Sequence, residues 1–350
     1  MTMSEPVVSV IMPCYNAEKY LPETMESIIS QSFGDWELVA VDDGSVDGTR
    51  KILEKYGQAD KRIRIIINEK NMGLQNSLNR AVRESRGKYI ARMDSDDICL
   101  RDRLKKQVAY LEKHKNTSLC SCKYFDLKEG KIIDEGPASR PGDPESVAAL
   151  LLCFNPILHP GVMGRRKCFE GHPYRPEFTC SEDLALWTEL IIRGEKIAVL
   201  PDYLMLYRRH PGQITAKSFE KQREQVKKIF RVYYEGVLME ISPGELDFLL
   251  DNIYFRNGGG ADGKYPATLD FLKKIEAENK KRGFFTKKAV RNLQKEVLMT
   301  QKYAGRISKG ELFKELLELG PGFASKQIII HIINKRIDGA RRRKTLKKLL

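Results

Sequence analysis

Two clusters of carboxylates stand where the chain leaves an apolar run. Asp42-Asp43-Gly44-Ser45 follows residues 36–41, and Asp94-Ser95-Asp96-Asp97 follows residues 89–93. Acids at i and i+2 on a turn can present their oxygens to a hard divalent cation. Mg²⁺ or Mn²⁺ takes one or two such carboxylates and fills other positions with phosphate oxygens. The competing use of Asp94, Asp96 and Asp97 is a turn that caps the helix expected from about Leu100, but a cap needs only one of them. A further acidic pair, Glu182-Asp183, follows Ser181, which reads as the cap of a helix with the apolar stripe Leu184, Trp187, Leu190 and Ile191. The helix dipole favours an ionised carboxylate there, and an exposed carboxylate at a fixed helix start suits a general base acting on a hydroxyl. Acids complement that dipole in many helices without doing chemistry, and spacing alone favours that use of Asp183. Trp187, on the stripe, is expected in the core.

These side chains need a frame. Residues 7–12 read as a buried strand ended by Pro13, and Asn16 as the cap of a helix running to about Ser32 through Tyr20, Met25, Ile28 and Ile29. Residues 36–41 are a second strand, 47–56 a helix, 63–67 a third strand. Gly73 opens a helix carrying Leu74, Leu78, Ala81 and Val82, and residues 89–93 form a fourth strand. Strand and helix alternating at this spacing predict a parallel α/β sheet with right-handed crossovers and helices on both faces. Ligands bind beyond the carboxyl ends of such strands. Here those ends carry Cys14-Tyr15-Asn16, Asp42-Asp43, residues 68–71 and the acids of 94–97, so polar groups converge on one edge. G-x-G-x-x-G after the first strand is absent, and so is G-x-x-x-x-G-K-[ST], which excludes the dinucleotide and P-loop fingerprints.

The chain has 350 residues, 41% hydrophobic and 31% charged, enough for one large or two ordinary domains and too apolar for overall disorder. The net charge of +14 is uneven: residues 1–216 hold 31 basic and 31 acidic side chains, residues 217–350 hold 30 and 16. A neutral part joined to a basic part reads as two functional units, the second facing something anionic. No apolar run approaches the roughly 18 residues of a membrane span, and the first residues lack a signal-peptide pattern, so a cytoplasmic chain is expected. The seven cysteines include no C-x-x-C pair and read as reduced, mostly buried thiols.

Three segments, each at a strand end, resemble family 2 glycosyltransferases of the GT-A fold: Val8-Ser9-Val10-Ile11-Met12-Pro13-Cys14-Tyr15-Asn16, Val41-Asp42-Asp43-Gly44-Ser45 and Ala91-Arg92-Met93-Asp94-Ser95-Asp96-Asp97. His159-Pro160-Gly161-Val162-Met163, Ser181-Glu182-Asp183-Leu184-Ala185-Leu186-Trp187 and Leu206-Tyr207-Arg208-Arg209-His210 extend the pattern, which covers residues 7 to about 215. The resemblance implies a Rossmann-like, mostly parallel sheet flanked by helices over residues 1–215, with a mainly α-helical, basic extension over 216–350. It implies that Pro13 and Tyr15 line the donor nucleotide, that Asp43 hydrogen-bonds its base, and that Asp94 approaches the ribose and a Mn²⁺ or Mg²⁺ whose principal ligand is Asp96. Asn71 and Gly73 add contacts beside the nucleotide, or form an ordinary cap and turn. His210 would be a third ligand of the metal or diphosphate, although a lone histidine is more often a surface residue. His159, Gly161 and Glu182 would shape the loop near the donor sugar and acceptor, and Asp183 would deprotonate the acceptor in an inverting transfer. Uridine is the expected base by resemblance. The processive members' Q-x-x-R-W motif and membrane helices are missing, which implies single additions.

The resemblance does not cover the basic third. A long amphipathic helix is expected over residues 214–238, with Phe219, Val226, Ile229, Phe230 and Tyr233 as its apolar members. Further helices should be interrupted at Pro243-Gly244, 257–263, Gly283 and Gly320-Pro321-Gly322, and the last, 327–350, carries Arg341-Arg342-Arg343-Lys344. Apolar and polybasic residues side by side suit an anionic membrane face, which fits a saccharide or lipid-linked saccharide acceptor. A solvated tail or a buried subunit contact is the competing use, and nucleic acid ranks last because no such module is recognisable. Two other functions stay in view: a non-catalytic, transferase-like protein docking to membrane or nucleic acid, and a sugar nucleotidyltransferase. The second should show a Gly-rich, basic loop after strand one, which Pro13-Cys14-Tyr15-Asn16 is not. Oligomeric state is open.

Overall fold

The computed structural model describes residues 5–135, 141–213, 218–255, 264–303 and 310–312. The first strands and helices alternate: β1 (Val8–Cys14), α1 (Leu21–Ile29), β2 (Trp36–Asp42), α2 (Thr49–Ala59), β3 (Ile63–Ile67), α3 (Leu74–Glu84) and β4 (Tyr89–Arg92). There follow β5 (Ile98–Cys99), α4 (Arg103–Lys113), β6 (Leu119–Lys128), β7 (Lys131–Glu135), α5 (Pro144–Leu150), β8 (Met163–Arg165), α6 (Arg166–Gly171), α7 (Glu182–Ile192) and β9 (Ile197–Arg208). The sheet order is β3-β2-β1-β4-β8-β6-β9-β5, with β7 on β6. β3, β2, β1 and β4 are parallel, as their crossover helices require. Beyond β4 the sheet is mixed: β8 is antiparallel to both β4 and β6, and β9 is parallel to β6. A purely parallel reading therefore holds for the first half alone. The turn at His159–Gly161 leads directly into β8, whereas α4 precedes β6 and α7 precedes β9.

Several boundaries differ from expectation for local reasons. Pro13 does not end β1. β4 pairs with β1 only over Val8–Ile11, so at Pro13 no ladder donor is missed on that side. Asn16 is not a helix cap: it sits at φ +49, and α1 starts at Leu21 after a turn closed by Tyr20 N–H on the Ala17 carbonyl. α2 starts at Thr49 without a side-chain cap from Gly48; the Asp47 carboxylate before it accepts from the Thr49 N–H and from the Glu18 N–H of the loop after β1. The core beneath the first strands is Val10, Met12, Leu38, Ala40, Tyr89 and Ala91 against Leu21, Met25, Ile28 and Leu53. Trp187 is fully buried, and all seven cysteines are buried and free, as expected.

By its contacts the chain divides into two units, Met1–Leu151 with Asn155–Tyr233, and Leu152–Phe154 with Tyr234–Leu350. The division lies inside α8 (Phe219–Val237), the long helix expected over 214–238, of which 214–217 lie outside the described residues. Val226, Ile229, Phe230 and Tyr233 are buried on it, whereas Phe219 is partly exposed. The second unit is helical: α9 (Pro243–Leu249), a π-helical turn at Leu250–Tyr254, α10 (Lys264–Arg282) and α11 (Lys287–Tyr303). α9 opens on a capping box, Ser242 with Glu245. The link from α10 to α11 is stapled by Asn279, which donates to the Phe285 carbonyl at 2.8 Å and accepts its N–H at 2.9 Å. The expected breaks at 257–263 and 320–322 and the polybasic helix 327–350 lie outside the described residues. Among the described residues no helix is long and apolar enough to cross a membrane.

Candidate active site

The loops that leave β1, β2 and β3 are knitted to one another. Asn16 N–H donates to Ser45 Oγ at 3.0 Å, and Asn16 Oδ1 accepts from Val46 N–H at 3.0 Å. Gly44 sits at φ +72, and a Cβ there would stand 2.7 Å from the Lys70 carbonyl carbon, so this crossing of two loops admits only glycine. The Asp43 carboxylate is buried and accepts three bonds from the loop after β3: Asn68 Nδ2 at 2.6 Å, and the Met72 and Gly73 N–H groups at 2.9 Å each. It braces that loop. Asn71 is exposed and accepts from Gly73 N–H at 3.0 Å. Pro13 is buried in β1, and Tyr15 beyond it is half exposed. Pro13, Tyr15, Asp43 and Asn71 thus lie along three neighbouring strand ends.

The acids after β4 gather beside that edge. Carboxylate oxygens of Asp94, Asp96 and Asp97 lie within 4.8 Å of one another, the one such group of potential metal ligands among the described residues. Asp94 is ion-paired with Arg92, which β4 buries. Arg208 at the end of β9 donates its backbone N–H to Asp97 Oδ1 at 2.8 Å and its Nε to the Asp96 carbonyl at 2.7 Å. Its guanidinium is also paired with Glu23 and stacks over Tyr20. His210 Nε2 lies 2.8 Å from Asp96 Oδ2, while His210 Nδ1 accepts from Gly212 N–H at 3.2 Å. In the neutral ring the proton is therefore on Nε2, facing Asp96. Serving as a metal ligand through Nε2 would require that proton to leave.

Asp97 Oδ2 is buried and has no hydrogen-bond partner. Burial, then the charges of Asp94 and Asp96, push the Asp97 carboxyl well above the usual range. Burial also raises Asp94, with Arg92 opposing it. An all-oxygen set of crowded carboxylates with an orphan oxygen is what a hard divalent cation takes up, so the residues fit Mg²⁺ or Mn²⁺.

Asp183 lies in the first turn of α7 and is half buried rather than exposed. Burial raises its carboxyl, while the N–H groups of the helix start, Asn155 and Arg92 pull it back. Asn155 Nδ2 donates to Asp183 Oδ2 at 2.9 Å. Ser181 occupies the cap position, yet its hydroxyl is buried without a partner, so it does not cap α7. Glu182 is turned inward, where Gln75 Nε2 of α3 donates to it at 3.3 Å. Burial and the nearby Asp183 push Glu182 up to about 8. His159 Nδ1 lies 3.6 Å from Glu182, and its Nε2 is 3.0 Å from the Tyr174 hydroxyl. Burial, then Arg92, hold His159 well below the usual range, so this is a contact between neutral groups and not an ion pair. Gly161 is packed rather than open. A Cβ there would meet Cys122 Sγ at 3.0 Å and Leu158 at 3.1 Å, and its carbonyl accepts from Gln107.

Sequence reasoning missed the residues that hold this layer. Gln75 and Asn79 stand one turn apart on α3, Gln75 on Glu182 and Asn79 locked both ways to the Tyr174 backbone. Their i, i+4 spacing beside Leu78, Ala81 and Val82 was the available signal. Asn155 is 28 residues from Asp183, and only the turn dipeptide Asn155-Pro156 marks it.

The family model described as Glycosyl transferase family 2 matches residues 9–149. The chain is 35% identical over 238 residues to an uncharacterized glycosyltransferase of Haemophilus influenzae, covering 65% of this chain and 72% of that protein. It is 28% identical over 232 residues to the UDP-Glc:alpha-D-GlcNAc-diphosphoundecaprenol beta-1,3-glucosyltransferase WfgD of Escherichia coli, covering 64% and 85%. The structure of S. aureus TarS 1-349 in complex with UDP-GlcNAc superposes with a TM-score of 0.57 at 21% identity, covering 85% of this chain and 88% of that one. That likeness shows a shared fold, the GT-A arrangement with a helical C-terminal part.

Proposed function

The chain belongs to the family 2 glycosyltransferases and is a glycosyltransferase; on that premise we propose that it moves one sugar, with inversion, from a UDP-sugar to a saccharide or lipid-linked saccharide. The observation that carries the reading is the Asp94, Asp96 and Asp97 cluster at the end of β4. The names of the relatives support the finer terms. WfgD pairs UDP-Glc with a diphosphoundecaprenol-linked acceptor, and the TarS structure holds UDP-GlcNAc. The lipid-linked acceptor in WfgD's name fits a role in glycan biosynthesis, and membership of the transferase family leaves the non-catalytic alternative without support.

In this proposal residues 1–215 are the transferase domain. Pro13, Tyr15 and Asn71 line the nucleotide, and Asp43 sets the loop that receives the base. Asp94 and Asp96, with Asp97 and His210 beside them, hold Mn²⁺ or Mg²⁺. When bound, the cation supplies neutralisation of the charge that develops on the diphosphate as it leaves. Asp183 takes the proton from the acceptor hydroxyl, the acceptor oxygen bonds to the anomeric carbon, and the carbon's bond to the diphosphate oxygen breaks on the opposite face. Glu182, neutral in its buried site, and His159 shape the floor beneath the transferred sugar. Attachment to the cytoplasmic face of an anionic membrane belongs to the same proposal, supported by the +14 carried by residues 217–350.

The test is a thermal-shift panel of UDP, GDP, dTDP and CMP, each with Mn²⁺ or EDTA. A ligand at about 100 times its dissociation constant stabilises by about 2.7 kcal/mol. A shift confined to UDP and abolished by EDTA is expected. A shift with another nucleotide would overturn the UDP assignment, and one insensitive to EDTA would overturn the cation's role.

A further inference from the structure

Asn155 reaches two partners with one carboxamide. Its Oδ1 accepts from Ile157 N–H at 3.2 Å, a turn that Pro156 favours by restricting the residue before it. Its Nδ2 donates to Asp183 Oδ2 at 2.9 Å. The flip of the amide is not arbitrary: the Ile157 N–H can meet only an oxygen, so the NH₂ must face the carboxylate. The turn by itself needs only Oδ1. The second bond, to an acid 28 residues further on, has no part in forming that turn.

We propose that Asn155 is the positioning residue of the base, its carboxamide aiming and holding the Asp183 carboxylate for the acceptor hydroxyl. The inference rests on the reading of Asp183 as the base. Neutral amide donors suit this task, because a lysine or arginine in the same place would pair with the carboxylate and blunt it as a proton acceptor. The charged and titratable groups that act on Asp183 are Arg92, Glu182, Asp94 and Tyr174. Of the side chains that hold Asp183 down, Asn155 is the one that does so by hydrogen bonding.

The test uses the full chain with aspartate carboxyl carbons labelled by ¹³C, the Asp183 resonance being identified by its loss in Asp183→Asn. Asn155→Ser keeps a hydroxyl to accept from Ile157 but is too short to reach Asp183. Asn155→Asp keeps the shape and replaces the donor by a carboxylate. Both should move the Asp183 titration to higher pH, Ser by about one unit, a tenfold loss of ionised carboxylate on the acid side, and Asp by more. In UDP release from UDP-glucose or UDP-GlcNAc, whichever is turned over, kcat should fall with its acid limb moved by the same amount and the donor KM unchanged. An unmoved titration in Asn155→Ser overturns the proposal, even if Asn155→Asp shifts it, because proximity of charge alone would explain the latter. A shifted titration with full turnover in Asp183→Asn would instead leave the hydrogen bond standing and remove the base.

Discussion

At the amino ends of β1, β2 and β4, Glu37 is almost completely buried and fully supplied with donors. Ser9 Oγ–H and the Arg86 N–H donate to Oε1 at 2.7 and 2.8 Å, and the Arg86 and Arg64 guanidiniums to Oε2 at 2.8 and 3.2 Å. At the carboxyl ends of the same sheet Asp97 is fully buried with one donor, an orphan oxygen and two acids as neighbours. Burial would raise both. At Glu37 the hydrogen bonds from Ser9 and Arg86 win, and its carboxyl lies below the usual value; at Asp97 burial and like charge win. The fold thus holds a satisfied charge at one end, where it stabilises, and an under-supplied carboxyl at the other, where a ligand would complete it.

The contrast can be pressed hardest through Asp183. Replacing it by Asn should cut turnover by about 10²–10⁴-fold while leaving the UDP-induced thermal shift in place. Loss of both, or of neither, would put Asp183 among the structural acids. Glu37→Ala should cost about 2–3 kcal/mol in urea unfolding with nucleotide binding unchanged. Its pH signature is distinct. A folded pKa below the ordinary 4.5 gives stability that is complete above that value and lost as pH falls through the lowered one. The wild-type stability should therefore decline on the acid side of 4.5 more steeply than that of Glu37→Ala, and equal slopes would contradict the assignment. Asp97→Asn gives the smallest effect with the opposite sign. Removing one of three crowded acids should raise unfolding free energy by about 1 kcal/mol and shrink the Mn²⁺-dependent part of the nucleotide shift. A destabilised variant would mean that Asp97 is as well satisfied as Glu37.

Much of this was legible in the chain. The acids of 42–43 and 94–97 could be set at strand ends because apolar runs and turn residues are local signals, and local geometry decides them. Trp187 and the cysteines read as core for the same reason. What escaped was the second half of the sheet, whose mixed directions depend on pairings such as Leu119 with Ile197 that leave no periodicity. The bracing of the site escaped too. Asn155, Gln75 and Asn79 act across 28 to 107 residues of sequence, and an amide in a helix or a turn looks the same whether or not a carboxylate waits at the far end. Ser181 shows the converse: it has the right residue type at the right place, and its hydroxyl makes no bond.

The grip of Arg208 and His210 on the loop after β4 has a consequence for where this chain can be cut and when its parts assemble. A fragment trimmed to residues 9–149, the stretch that the family model matches, would keep all three aspartates and lose the N–H on Asp97, the guanidinium on the Asp96 carbonyl and the imidazole on the Asp96 carboxylate. Those bonds close loops of 111 to 114 residues, so they form after the local strand and helix pairs have condensed. Where those bonds are absent from the folding transition state, a ligand that needs the finished cluster slows the rate at which the protein comes apart more than it changes the rate at which it folds.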